Sequence, residues 1–373
     1  MTKFLDDRAV AERVLQHIRQ HSTDVGEEIW REPVANYRSA ARLTRELAVL
    51  RRTPTPFCPS AALPDAGSYV AREAAGTPLL LVRGEDRRVR AFRNACRHRG
   101  TELASGAGCA KAFVCPYHGW TYRLDGRLQH IPHAAGFPGV DPEQHGLTAV
   151  AAEEQHGLVF VTQATAADEP APWASLPELI APDQQLLNSG AAELEVNWKI
   201  YLEGFLEGYH IRSTHPQSFY PYGYDNLTLV EHSGRNSRVT FPFRRIEKLA
   251  DVPPAERRVD GLLTYVYHLF PNALVTVLSH HTNLVVLEPL SLTRTRLVTY
   301  ALTNRGGGAQ SAETAKRDAA FVNNTGAAED LAIVLAIQRS LGSGANEVFT
   351  FGAFEAAIAH FHRNLHRALA EDG

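Results

Sequence analysis

Cysteine is scarce in this chain: four in 373 residues cannot form a disulfide framework. Each is therefore a metal ligand, a reactive thiol or a packing residue. An excess of either charge is also missing, since Lys+Arg 38 against Asp+Glu 41 leave a formal charge of -3, which gives no field for nucleic acid or an anionic membrane. The opening segment MTKFLDDRAVAERVLQHIRQ is amphipathic and charged, without the apolar centre of a signal peptide. No window supplies the roughly 18 apolar residues that a spanning helix needs. The expectation is a cytoplasmic protein with no nucleic-acid and no membrane partner. Internal repeats and low-complexity tracts are absent, and the GGG at 306–308 stands outside any GxGxxG, so no nicotinamide-binding fold is expected. What is present, 44% hydrophobic and 21% charged residues, suffices for the cores of two ordinary domains.

Patterning divides the chain into four parts. Residues 1–50 read as a helical arm that ends at the Pro-rich stretch Thr53 to Pro59. Residues 51–165 carry short β-like runs such as TPLLLV, VRAFR and GLVFV, separated by turn chemistry, and predict a small all-β domain. The Ala/Pro-rich AADEPAPWASLP marks a linker over 166–189. Residues 190–373 begin with a helix at NWKIYLEGFLEGYH, continue through runs such as RVTFPF and ALVTVLSHH, and turn helical after about Ala312, which predicts an antiparallel sheet with helices laid on it. The fold class is α+β.

Within the β domain, Cys96-Arg-His98 and Cys115-Pro-Tyr-His118 are separated by sixteen residues. Each short segment offers one thiolate and one imidazole. Tetrahedral zinc accepts two Cys and two His, but zinc-finger spacing puts Cys beside Cys and His beside His. A [2Fe–2S] centre with two cysteines on one iron and two histidines on the other needs loops of this mixed kind. The CRHRG and CPYHGW segments resemble the cluster-binding loops of Rieske non-haem iron oxygenases, in the large (alpha) subunit of the aromatic ring-hydroxylating family. The resemblance implies that Cys96 and Cys115 bind one iron and His98 and His118 the other. Cys58 and Cys109 are read as packing residues.

A second constellation, Glu207-Gly-Tyr-His210-Ile-Arg-Ser-Thr-His215, begins about ninety residues after the first. Two imidazoles five apart lie about 140° apart on a regular helix, so they converge on one metal only where the helix widens or ends between them. The segment NWK…EGFLEGYHIRSTHP resembles the one that carries the mononuclear iron ligands in the same family, which implies His210 and His215 as Fe(II) ligands. The family takes a carboxylate from a distant helix, and GAAEDLAIVLAIQRSL is the candidate here. Asp330 shares a helical face with Ile333, Val334, Ile337 and Leu341, whereas Glu329 is turned about 100° away. Asp330 is therefore the expected third ligand, and Glu329→Ala is expected to keep substantial activity.

The resemblance implies an all-β Rieske domain followed by a helix-grip catalytic domain, with the 1–50 arm packed on the latter. It further implies O2 as co-substrate, electrons from a separate NAD(P)H-dependent reductase or ferredoxin, and hydroxylation or oxidative dealkylation of a small organic substrate. The assembly implied is a homotrimer in which Glu207 bridges His210 to the neighbouring subunit's cluster ligand His118. The acid at 207, where ring dihydroxylases usually have Asp, and Gly204, where Asn is common, bring the sequence closer to monooxygenating and N-demethylating members. A Rieske electron carrier without oxygenase activity and a zinc-stapled binding protein are the alternatives from other classes. Tyr220, Tyr222 and Tyr224 could wall a pocket for a quaternary ammonium group. His280 and His281 could border the pocket, and His362 and His366, flanked by Arg363 and Arg367, read as a solvated basic face.

Overall fold

The computed structural model describes residues 3–164, 171, 173, 174, 176–306 and 309–371. It divides into two compact units, residues 51–169 and residues 1–50 with 170–373. Most of the stretch from 165 to 175 and the second and third glycines of GGG lie outside the described residues.

The smaller unit is built on a seven-stranded antiparallel sheet in the order Thr55–Pro59, Leu158–Thr162, Ala149–Gln155, Val89–Arg93, Thr77–Arg83, Ser68–Ala74, Gly106–Cys109. A three-stranded sheet of Phe113–Val114, Thr121–Tyr122 and Leu128–His130 accompanies it. The hairpin joining Ser68–Ala74 to Thr77–Arg83 closes with two residues, Ala75 at φ 48° and Gly76 at φ 76°. Positive φ at both central positions matches the right-handed strand twist. Phe92, Phe113, Trp120 and Tyr122 form a core that also encloses Cys96 and Cys115. The Pro-rich stretch expected to act as a break is itself a strand from Thr55, buried throughout. It lies at the sheet edge, where prolines that cannot donate to the ladder are tolerated.

The larger unit has a seven-stranded antiparallel sheet in the order Leu186–Leu194, Thr295–Thr303, His281–Pro289, Ala273–Val277, Leu263–Leu269, Asn236–Pro242, Leu229–Ser233. Helices Asp7–Gln20, Ala40–Arg52, Trp198–Glu203, Ala309–Asn324, Gly326–Ser340 and Ala356–Ala370 accompany it. The N-terminal arm is not continuous helix. Asp6 caps the first helix through Ala9 N, His21 ends it in a left-handed conformation, and Trp30–Pro33 is a strand paired with Val348–Phe351. Trp198, Leu202, Phe270, Leu274 and Phe361 anchor the core, where truncation of an aromatic such as Phe361 would cost about 3–5 kcal/mol.

Asn197 caps the helix Trp198–Glu203 through Lys199 N at 3.0 Å. From that helix Lys199 Nζ reaches Glu46 of the arm at 2.7 Å, with both side chains 1% exposed, and Trp198 Nε1 donates to the same carboxylate at 3.0 Å. Removing one partner of such a buried pair costs about 3–5 kcal/mol. Arm and helix are thereby fixed to one another.

One expectation about length fails. Ser311–Ser340 is 30 residues of helix long and apolar enough, by length and composition, to cross a membrane. Its regular structure is interrupted at Thr325, where two helices meet.

Candidate metal centres and cavity

In the smaller unit two loops repeat one hydrogen-bond scheme. Cys96 N donates to Thr101 O at 2.9 Å and Gly100 N to Cys96 O at 2.8 Å; Cys115 N donates to Trp120 O at 2.8 Å and Gly119 N to Cys115 O at 3.0 Å. Gly100 and Gly119 both have positive φ, 82° and 77°, which closes each loop after its histidine. The two cysteines are buried, and Cys96 Sγ lies 3.3 Å from Tyr122 Oη. The rings of His98 and His118 stand 4.7 Å apart, and His98 stacks on Trp120 at 5.1 Å. His98 Nδ1 is buried with no hydrogen-bond partner, an unused donor atom of the kind that a cluster iron would take up. Desolvation, then the nearby His98 and Arg99, lower the His118 pKa, which favours the neutral, ligating form. His118 and Tyr117 are exposed, so the histidine side of the loops faces outward.

In the larger unit His210, His215 and Asp330 each offer a ligand atom within 4.8 Å of the others. The short helix Ile211–Thr214 has His210 as N-cap and His215 as C-cap at φ -117° and ψ 43°. The helix therefore ends between the imidazoles, the condition their five-residue spacing demands. His215 Nε2 approaches Asp330 Oδ1 to 2.9 Å and His210 Nε2 to 3.5 Å, yet the buried His215 Nε2 makes no hydrogen bond. Two imidazole nitrogens and a carboxylate oxygen converging in this way suit a common cation. A set of two imidazoles and one carboxylate fits Fe(II) with open positions.

The Nδ1 atoms are held from behind. Glu207 hydrogen-bonds His210 Nδ1 and also accepts from the backbone of Tyr209 and His210. Glu329 lies 2.6 Å from His215 Nδ1 and accepts from Ser218 Oγ at 2.5 Å. A carboxylate on the far nitrogen fixes the tautomer of a ligating histidine and raises its basicity. Glu329 thus contacts a histidine of the site, which the helical-face comparison with Asp330 did not anticipate. Its rotation away from Asp330 points it at the flank of His215. The remaining spacing is set by Gly326, where a Cβ would lie 2.0 Å from the Phe219 ring, and Phe219 in turn packs on His215 at 4.8 Å between ring centres.

Asp330 does share a face with Ile333, Val334 and Ile337, but that face lines a cavity of about 340 Å³, and Ile333 is 47% exposed. Tyr201, Phe205, Phe349 and Phe351 form its aromatic wall, and Glu203, Glu207 and Glu355 add carboxylates. Among the described residues no Lys or Arg lines it. Desolvation, followed by the charges of Glu207 and Glu203, pushes Glu355 up to about 7.

Other expected contributors lie elsewhere. Tyr222 is exposed, Tyr224 donates to Glu247 at 2.6 Å, and Tyr220 carries Arg212 and Arg244 against its ring; none of the three lines the cavity. His281 is buried against Asp318 at 2.7 Å, and His280 is exposed. Cys58 is buried, whereas Cys109, read as packing, is exposed at an edge strand. His362 is not solvated at all: it is fully buried.

Residues 53–142 match the family model of the Rieske [2Fe-2S] domain, and residues 186–371 that of the ring hydroxylating alpha subunit (catalytic domain). The chain is 37% identical over 165 residues to the carnitine monooxygenase oxygenase subunit of Escherichia coli K12, covering 42% of this chain and 44% of that protein. It is also 37% identical over 164 residues to the glycine betaine monooxygenase oxygenase subunit of Chromohalobacter salexigens, covering 42% and 36%. The match thus spans less than half the length of these relatives. The fold is that of the quaternary ammonium Rieske monooxygenase CntA, at TM-score 0.79 and 22% identity over 99% of both chains, and of naphthalene 1,2-dioxygenase, at TM-score 0.75 and 18% identity over 91% and 92%. Two matched domains in this order, the first implying a Rieske cluster and the second a mononuclear iron, make the chain a member of the Rieske-type ring-hydroxylating oxygenase alpha-subunit family.

Proposed function

We propose that this protein is a terminal oxygenase that inserts oxygen from O2 into a small cationic substrate, releasing an alkyl group or leaving a hydroxyl. The observation that carries the reading is the convergence of His210, His215 and Asp330 on the wall of a cavity lined by carboxylates and aromatic rings. In this reading Cys96, Cys115, His98 and His118 hold the [2Fe–2S] cluster, and His210, His215 and Asp330 hold the Fe(II). Residues 51–165 are the relay domain and 190–373 the catalytic domain, joined through 166–189, with the arm 1–50 packed on the catalytic domain. The bound metals supply electron relay and O2 activation. The protein's own residues bind the substrate, orient it and exclude water.

The cavity favours a quaternary ammonium substrate. Such a cation cannot donate a hydrogen bond, so it is recognised by ring faces and by nearby negative charge. Tyr201, Phe205, Phe349 and Phe351 offer the first, and Glu203 and Glu355 the second. The relatives that act on carnitine and glycine betaine agree with this class.

Electrons would come from a separate NAD(P)H-dependent reductase or ferredoxin, and in this reading the enzyme works in the cytoplasm beside the nicotinamide pool. The exposed edge at His118 supports transfer between subunits of a homotrimer, in which Glu207 links His210 to His118 of a neighbour. A heterologous ring of this kind closes with threefold symmetry. The deciding experiment supplies a surrogate reductase, NADH and a panel of quaternary ammonium compounds, and scores product against O2 consumed. Product matched to O2 uptake, with about three irons per chain, is expected. About two irons, a reducible cluster and no product would favour the electron carrier instead.

A further inference from the structure

A second cluster of ligand atoms lies outside the cavity. Glu32, on the strand Trp30–Pro33, faces His362 and His366, which are one turn apart on the helix Ala356–Ala370; one ligand atom from each lies within 4.8 Å of the others. Glu32 and His362 are fully buried, and His366 is 38% exposed. Both oxygens of Glu32 stand 3.0 Å from His366 Nε2.

The second imidazole is the informative one. His362 Nε2 lies 2.9 Å from Glu203 Oε1, a carboxylate that also accepts from Tyr37 Oη at 2.7 Å. That bond suits a ring hydrogen on Nε2. Nδ1 is buried, without a hydrogen-bond partner, and 3.5 Å from Glu32 Oε2. An unpartnered imidazole nitrogen facing a buried carboxylate is unfavourable unless a proton or a metal ion lies between them, and the 3.5 Å separation is long for a hydrogen bond.

The surroundings repeat the architecture of a metal site. Glu203 orients His362 through its far nitrogen, as Glu207 and Glu329 orient the histidines of the other centre. Glu32 is itself held by Trp30 Nε1 at 3.1 Å and Asn36 Nδ2 at 2.6 Å. Arg42 Nη2 stands 3.7 Å from Glu32 Oε1, while its Nε is committed to Glu46 at 3.0 Å. Histidines four apart on a helix, with a carboxylate from another element, form a donor set suited to zinc.

We infer that Glu32, His362 and His366 form a further divalent-metal site, of the zinc class, with its open position beside His366. Such an ion ties the N-terminal strand to the C-terminal helix. It also bears on the cavity, because Glu355 and Ile358 at the start of that helix and Glu203 behind His362 all line it.

Iron-loaded enzyme, dialysed against chelator-buffered zinc and analysed for metals and by zinc-edge X-ray absorption, tests the site without reference to turnover. About one zinc per chain beyond the iron is expected, with a first shell of two imidazoles and carboxylate oxygen. His366→Ala, a change at a partly exposed side chain, and Glu32→Gln should each weaken zinc binding at least about tenfold, while Asp330→Ala leaves it intact. Absence of zinc above background, equal zinc in wild type and His366→Ala, or loss of zinc in Asp330→Ala would each overturn the assignment. Circular dichroism and an unchanged iron content report that the larger unit of each His366 and Glu32 variant is folded.

Discussion

Glu329 Oε2 lies 2.6 Å from Nδ1 of His215, while Asp330, the next residue, approaches Nε2 of the same ring at 2.9 Å. Adjacent acids on one helix thus grip a single imidazole from both sides. Asp330→Ala should lose the mononuclear iron and all product formation while retaining a reducible Rieske signal. Glu329→Ala should weaken iron binding by about 10–100-fold, and Glu329→Gln should recover part of that, since an amide still bonds to Nδ1. Iron titration of the three variants decides this. Wild-type affinity in Glu329→Ala would remove it from the site.

At the cluster, Cys115→Ser or His118→Ala should bleach the visible absorption and abolish activity while the larger unit stays folded, because no neighbour can replace a lost ligand. Absorption and circular dichroism measured together separate cluster loss from unfolding.

For transfer between subunits, Glu207→Gln should keep both metals and the assembly. It should slow single-turnover oxidation of the reduced cluster at least about tenfold, a barrier rise of roughly 1.4 kcal/mol. Wild-type kinetics in that variant, or a fully active monomer by light scattering, would sink the bridge.

Glu355 yields a pH dependence. Its carboxyl is raised, chiefly by desolvation, to about 7, so it is neutral below that value and anionic above it. KM for a quaternary ammonium substrate should fall as pH rises through about 7, and Glu355→Gln should flatten the profile. A group whose pKa is raised on folding stabilises the fold at low pH, and this contribution is lost as pH rises through about 7. The thermal midpoint of Glu355→Gln should accordingly fall less than that of wild type over the same range.

Much of this was legible in the sequence where ligand chemistry restricts residue choice. The mixed Cys/His loops have few other uses, and the five-residue His spacing itself demanded a helix that ends between them. What stayed hidden depended on neighbours distant in sequence. Glu329 was judged by its angle to Asp330, but its partner is His215, 114 residues away. His362 was read from the arginine beside it, whereas a strand more than three hundred residues earlier buries it. Of the tyrosines after His215, Tyr220 and Tyr224 do meet cations, but these are Arg212 and Arg244 of the protein itself. The edge strand Thr55–Pro59 eluded pattern reading because proline forbids a central strand and tolerates an edge one.

Gly326 never touches a ligand, yet the absence of its Cβ lets the acid-bearing helix settle against Phe219 and so against His215. An evolving lineage could therefore keep every ligand and still lose the enzyme through one added methyl group. In an inventory of ligands such a chain would look intact. Conversely, substitutions at Gly326 and Phe219 made together offer a way to retune the spacing of the two halves of the site without altering its donors.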